Sequence, residues 1–310
     1  MRVFVAGATG AVGRPLVAQL VEAGHEVVGT TRSKERADDL RTRRVEPLVV
    51  DALDADAALA VAARRARPDA VVQQLTALPK AGAAAAGERE HAATSNLRVE
   101  GTSALLRGAP DARMVAQSVA FLTRPDGRPV HDENDELFVD GPGSVGVNAR
   151  AVRDMGEDVR KAGGVSLRYG FLYGPGTWYH RNGASAQEIA EGRSPLVGDG
   201  GGLWPWLHVD DAASATVAAL ERGEGEMNVC DDESAPVAEW LPYAARTLGG
   251  PTPPGMSVPE ALKAAGPELV HYHTTMPGAS NARAKAALGW QPIWPDWRRG
   301  FEQELGDPFA

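Results

Sequence analysis

The sequence predicts an α/β protein: a doubly wound parallel sheet with a smaller C-terminal lobe interleaved into it. Three observations predict it. The chain opens on a β-type run, Val3-Phe4-Val5-Ala6, that meets a glycine-rich turn, and an apolar helix (Leu16, Val17, Leu20, Val21) follows at once. Continuous apolar runs then alternate with amphipathic or Ala-rich stretches through the first half. Past residue 170 the texture changes, and Gly, Pro and Trp become frequent. Continuous apolar strands separated by helices mean a parallel sheet covered on both faces.

The strand-like runs are Val3–Ala6, Glu26–Thr30, Pro47–Val50, Ala70–Leu75, Met114–Ala116 and Val165–Leu167. Helical segments between them include Ala55–Arg65, Ser95–Arg107 and Val147–Ala162. Gly24 falls just past the first helix, where a left-handed cap is expected. Residues 81–87, nearly all Ala and Gly, are expected to form a mobile loop. Asp210–Glu221 and Met227–Cys230 are expected to return to the sheet. The division is therefore 1–170, with 205–232 returning to it, and a smaller lobe of 171–204 and 233–310.

At 310 residues the chain can bury a large core. A net charge of −9 argues against nucleic acid or an anionic membrane as partner. Cys230 is the only cysteine, which excludes an internal disulfide and a thiolate metal cluster. His271 and His273 lack companions at ligand spacing, so no metal site is expected. No apolar run approaches the roughly 18 residues that span a bilayer. Met1-Arg2 leads straight into the first strand, so the expected setting is the cytoplasm.

In Gly7-x-x-Gly10-x-x-Gly13 each glycine answers a steric demand. One makes the tight turn, one lets backbone amides approach a pyrophosphate, and one lets helix pack on strand. Thr9, Ala11 and Val12 complete that turn. The helix N-terminus then offers its partial positive charge to the phosphates. The end of the second strand chooses between coenzymes. An Asp or Glu there accepts from the ribose hydroxyls of NAD(H). Here the run is Thr30-Thr31-Arg32-Ser33, and an Arg fork suits a 2′-phosphate. NADP(H) is the expected cofactor, with NAD(H) as the alternative. Asp51-Ala52, ending the third strand, could accept from the adenine or cap the next segment. Leu75-Thr76-Ala77 closes the fourth strand at the same sheet edge.

Several further motifs stand in order: Asn96 with Gly101-Thr102, Ser118 after Val115-Ala116-Gln117, and Arg168-Tyr169-Gly170-Phe171-Leu172-Tyr173-Gly174-Pro175-Gly176. Leu207-His208-Val209-Asp210-Asp211-Ala212, Asn228-Val229 and Leu288-Gly289-Trp290 follow. With the glycine turn, these make the chain resemble the extended short-chain dehydrogenase/reductases, the NAD-dependent epimerase/dehydratase family, over nearly its whole length. The resemblance implies a Rossmann domain with a C-terminal substrate lobe. It also implies that Asn96, Tyr169 and Phe171 neighbour the cofactor. Ser118 would hold a substrate oxygen, as a hydroxyl does where charge develops on a carbonyl. Relatives pair the helices read here as Ser95–Arg107 and Val147–Ala162 into a homodimer.

One departure from the family is plain. Its general acid Tyr and the Lys four residues on fall here on Ala149 and Arg153. None of Tyr169, Tyr173, Tyr179, Tyr243 and Tyr272 has Lys at that spacing. Arg153 could still hold a ribose. Tyr169, Tyr173, Tyr179 and His180 are the candidates for a replacement proton donor, and Asn148 neighbours the vacant position. In the second lobe Trp178, Trp204 and Trp206 flank glycine-rich loops and are expected, with His180, to line a pocket. Cations there are few, Arg181 and Arg193, which favours an aromatic or polyketide-like small molecule over a nucleotide-sugar. The expected function is an NADP(H)-dependent oxidoreductase with a non-standard proton donor. Alternatives are an epimerase/dehydratase on a sugar-like substrate with tightly held cofactor, and a non-catalytic dinucleotide sensor.

Overall fold

The computed structural model describes residues 1–53, 56–79 and 88–306. The loop expected over 81–87 lies outside the described residues. In chain order the first half holds β1 (Arg2–Ala6), α1 (Gly13–Glu22), β2 (Glu26–Thr31), α2 (Lys34–Thr42), β3 (Glu46–Val49), α3 (Asp56–Ala66), β4 (Ala70–Gln73) and α4 (Glu88–Asn96). A π-helical turn, Leu97–Gly101, runs into α5 (Thr102–Gly108), β5 (Arg113–Val119), β6 (Val130–His131), α6 (Ser144–Lys161) and β7 (Val165–Tyr169). Next come β8 (Phe171–Tyr173), α7 (Ala184–Ala190), β9 (Leu196–Val197), β10 (Leu203–His208), α8 (Val209–Ala219) and β11 (Gly225–Val229). The chain closes with β12 (Ser234–Pro236), α9 (Val237–Thr247), β13 (Gly255–Met256), α10 (Val258–Thr274), β14 (Gly278–Ala279), α11 (Ala282–Leu288) and α12 (Trp297–Leu305).

Seven strands form one parallel sheet in the order β11-β7-β5-β4-β1-β2-β3. Val3 pairs with Val27 on one side and Ala70 on the other. Both sheet faces are covered, so the apolar runs are continuous rather than alternating. Val3, Val5, Val72 and Val165 pack with Leu16 and Leu20 of α1 on one face. Phe4, Ala6 and Val71 pack with Leu59, Leu105 and Met155 on the other. Each such fully buried Leu or Phe stabilises the fold by about 1.5–3 kcal/mol relative to exposure. Gly24 takes φ +81° just after α1, the left-handed conformation its position predicts. β11 lies at the sheet edge, with Val229 opposite Tyr169.

The helix expected over Ser95–Arg107 is interrupted by the π turn. The buried Gln73 amide donates to the Leu97 carbonyl (3.1 Å) and reaches Thr102 Oγ1 (3.4 Å), which widens that turn. The second lobe packs the sheet β12-β10-β8 against α7, α9, α10 and α12 around Tyr173, Tyr179, Trp204, Trp206, Trp240, Trp297 and Phe301. Among the described residues no helix is long and apolar enough to cross a membrane.

Candidate active site

The glycine turn between β1 and α1 is packed to its limit. A Cβ on Gly7 (φ +94°) would lie 2.8 Å from the Gln74 carbonyl oxygen, and one on Gly13 would lie 2.2 Å from the Gly7 oxygen. The Gly7 amide donates to Thr30 Oγ1 (3.0 Å) and the Gly10 amide to the Gly7 oxygen (3.1 Å). α1 has no side-chain cap and no acidic residue in its first turn. No side chain therefore competes with an anion at this helix end, and the helix dipole favours one there. This close-fitting cradle, with no competing carboxylate, fits the pyrophosphate of a dinucleotide.

The rim of the cradle is made by the ends of β2, β3 and β4. Arg32 is exposed and has no partner among the described residues. Ser33 caps α2 by accepting from the Arg36 amide (3.2 Å). Asp51 Oδ1 accepts from the Leu53 amide (3.0 Å), beside the buried Ala52. After β4, Leu75 and Ala77 are half-buried and Thr76 is exposed. The Ala77 amide donates to Thr94 Oγ1 (3.1 Å). Asn96 is exposed and outside the hydrogen-bonded cluster built by Ser95 and Arg98. Ser95 and Arg98 share a helix face at i, i+3, and Asn96 does not.

Tyr169 and Tyr179, two of the expected replacements for the proton donor, are buried. Ala149 is fully buried among Leu122, Val145 and Val152. Arg153 is half-exposed and pairs with its neighbour Asp154 (2.9 Å). Tyr169 is buried against α8, 2.5 Å from Thr216 Oγ1, and accepts from Gln74 Nε2 (2.9 Å). Burial pushes its phenol up to about 12. Tyr179 sits in the aromatic core of the lobe, and burial raises it as well. Ser118 is fully buried, with Oγ 3.4 Å from Ser166 Oγ on the adjacent strand, and does not open to a cleft. Burial of Ser118, Tyr169 and Tyr179 stands against their sequence-based roles: each side chain faces a packed layer rather than solvent. His180 is partly exposed, with Nε2 4.0 Å from Glu304 Oε2.

An aromatic wall stands where the two lobes meet, with Phe121, Phe171 and Tyr272 half-buried and Trp204 buried. Phe171 stacks between Phe121 and Trp204, with ring centroids 3.9 Å apart on both sides. Tyr272 meets all three edge-on, at 6.2–6.4 Å. Trp204 Nε1 donates to the Tyr272 carbonyl (2.9 Å). Trp178 is half-buried and donates Nε1 to the Pro79 carbonyl (2.8 Å), tying the second lobe to the loop after β4. Gly176, on the same loop, faces Ala11 of the glycine turn. Trp206, expected in the pocket, is instead core: it is 0% exposed, with Tyr179, Phe301 and Trp240 rings 4.9–5.0 Å away.

Sequence reading passed over Arg98 and saw Asn148 only as the neighbour of the vacant acid position. Arg98, on the π turn, donates Nη1 to Asn148 Oδ1 (3.0 Å), which also accepts from Ser95 Oγ (3.2 Å). Asn148 Nδ2 meets His91 Nδ1 at 3.3 Å. Arg98 Nε is buried without a partner. Burial lowers its guanidinium to about 10, partly offset by Tyr272. The signal available in the sequence was the i, i+3 spacing of Ser95 and Arg98, with π turns frequent at functional sites.

A model of the NAD dependent epimerase/dehydratase family matches residues 3–230. A 3-diazoavenalumate denitrifying reductase of a Streptomyces species is 45% identical over 318 aligned residues, covering 98% of this chain and 100% of the relative. Among solved structures, the UDP-glucose 4-epimerase of Thermotoga maritima with UDP-glucose matches with a TM-score of 0.75 at 19% identity, over 98% of this chain and 97% of that one. A human epimerase family protein with NADPH matches at 0.72 and 21%, over 98% and 99%. The Thermus thermophilus UDP-glucose 4-epimerase with NAD matches at 0.73 and 22%, over 98% of each. These structures share the fold over nearly the whole chain. The chain belongs to the NAD dependent epimerase/dehydratase family.

Proposed function

We propose that this protein is a nicotinamide-dependent reductase whose aromatic substrate accepts hydride without needing a proton from the protein. The observation that carries this is the face of α6, where Ala149 is sealed in the core and Arg153 pairs outward with Asp154. The bound nicotinamide would supply hydride. A carbonyl acceptor leaves an alkoxide that needs an acid within reach. An arenediazonium does not: with hydride it gives the arene and dinitrogen, and no oxygen is left to protonate. The name of the Streptomyces relative describes such a denitrifying reduction of a diazo compound. We extend that chemistry to this chain.

In this reading Gly7, Thr9, Gly10, Ala11, Val12 and Gly13 hold the pyrophosphate, Asp51-Ala52 and Leu75-Thr76-Ala77 flank the adenine half, and Phe171, Trp178 and Trp204 meet the substrate ring. His180 lies at the cleft mouth. The aromatic wall supports an aromatic ligand over a sugar. It also speaks against a sensor without turnover. Epimerisation or dehydration needs a base on the substrate carbon, which the α6 face does not offer. A single buried cysteine fits a reducing compartment, the cytoplasm. The exposed Val147 on α6 supports a homodimer through α4 to α6.

The test is NADPH consumption above the enzyme-free rate with benzenediazonium, benzaldehyde and acetophenone. The reading expects consumption matched by dinitrogen release with the diazonium and none with the carbonyls. Turnover of carbonyls alone would contradict it. The unpartnered Arg32 supports NADP(H) as the preferred cofactor. Arg32→Glu should weaken NADPH binding by about tenfold or more, roughly 1.4 kcal/mol, and spare NADH. Equal affinities for the two coenzymes before and after the change would count against the preference.

A further inference from the structure

We infer that Arg98 is the anion anchor of the substrate site, pairing with a carboxylate or phenolate oxygen on the aromatic substrate. This rests on the aromatic-substrate reading above. Arg98 is 4% exposed, and none of the described carboxylates pairs with it. Of its five donors, Nη1 is spent on the neutral Asn148 oxygen and Nε meets nothing. A buried, uncompensated cation costs several kcal/mol. An arginine does not escape that cost by shedding its proton near neutral pH. The chain therefore keeps a charge whose counter-ion is missing from its own fold.

Its position says what the counter-ion belongs to. Asn148, which orients the guanidinium, immediately precedes the Ala149 that occupies the family's acid position. Tyr272 packs on the Val145, Ala149 and Val152 cluster of α6, the helix that carries Asn148, and its ring also joins the Phe121–Phe171–Trp204 wall. It borders both the aromatic core of the second lobe and the apolar cluster under α6. A ring lying on that wall would bring a substituent oxygen towards the cation. The same charge repels a cationic diazo group. A substrate carrying both would be turned with its anionic end to Arg98 and its reactive end away from it. Arg98 thus sets binding and orientation, with Asn148 and Ser95 as positioning residues.

The experiment is calorimetric binding to the NADP⁺-loaded protein, with wild type, Arg98→Met and Arg98→Lys. The probes are 4-hydroxybenzoate, methyl 4-hydroxybenzoate and 4-methoxybenzoate. Wild type should bind 4-hydroxybenzoate, and Arg98→Met should weaken it at least tenfold while NADP⁺ affinity stays within twofold. Arg98→Lys, which keeps the charge without the planar fork, should fall between. Arg98-dependent binding of 4-methoxybenzoate assigns the anchor to a carboxylate; Arg98-dependent binding of the methyl ester assigns it to a phenolate. Because removing an unpaired buried charge relieves the fold, Arg98→Met should melt no lower than wild type. The inference is overturned if wild type binds none of the probes, or if the folded variants bind them as wild type does. It is also overturned if Arg98→Met melts far lower while Arg98→Lys binds normally, since Arg98 would then be a strut between helices. No turnover is read, so failure here leaves the reductase reading standing, and an inactive protein that binds the probes leaves the anchor standing.

Discussion

Gly13→Ala is expected to abolish dinucleotide binding. The added Cβ would sit 2.2 Å from the Gly7 oxygen, 2.8 Å from the Ala8 carbonyl carbon and 2.9 Å from the Ala8 oxygen. All three atoms are backbone, so no rotamer change relieves the clash. The start of α1 must lift off the turn, and the amides aimed at the pyrophosphate move with it. Overpacking of this kind costs about 1–3 kcal/mol of stability. The loss in binding should be larger, because displaced amides and a tilted dipole both act on the same phosphate. Calorimetric titration with NADPH should show affinity reduced at least 100-fold, about 2.7 kcal/mol. Wild-type affinity in Gly13→Ala would mean that the coenzyme does not use this turn.

Trp206→Ala should be the most destabilising single change in the second lobe. Trp206 is fully buried, and six aromatic rings surround it, from Phe171 and Tyr173 to Trp240 and Phe301. Truncating a buried Trp costs about 3–5 kcal/mol through lost transfer and the cavity left behind. Chemical denaturation should show that loss, with KM for substrate nearly unchanged in the fraction that remains folded. A pocket residue would behave the other way: stable on truncation, with a raised KM.

Both predictions separate what the sequence made legible from what it did not. The glycine turn, the strands that follow it and the return of β11 to the sheet were readable because each rests on a local pattern. Steric demand fixed Gly7 and Gly13, and two-sided burial fixed the apolar runs. The chemistry of the site was less readable, because it depends on which way a side chain faces. Ser118 and Tyr169 stand on strands at the right end of the sheet. Yet Ser118 meets Ser166, and Tyr169 meets Thr216 across the layer to α8. One residue of strand register decides such a matter, and a motif does not carry it. Trp206 was drawn to the pocket by neighbouring glycines, yet it is core, and Trp204, two residues away on the same strand face, is buried with it. Arg98 was hidden because its neighbour Asn96 fits the family motif and Arg98 does not. Only the packing of α4 on α6 shows a buried cation there.

The account's central claim is that no side chain of this protein delivers a proton to the substrate. The measurement that tests it most directly is the single-turnover rate of NADPH oxidation with an arenediazonium in Tyr169→Phe, Tyr179→Phe, Tyr272→Phe and His180→Gln. The account predicts that each variant keeps its rate within about threefold, against the roughly 10²–10⁴-fold contribution of a general acid. A fall of about 100-fold or more in any folded variant, with NADPH affinity unchanged, would identify a proton donor and contradict the claim.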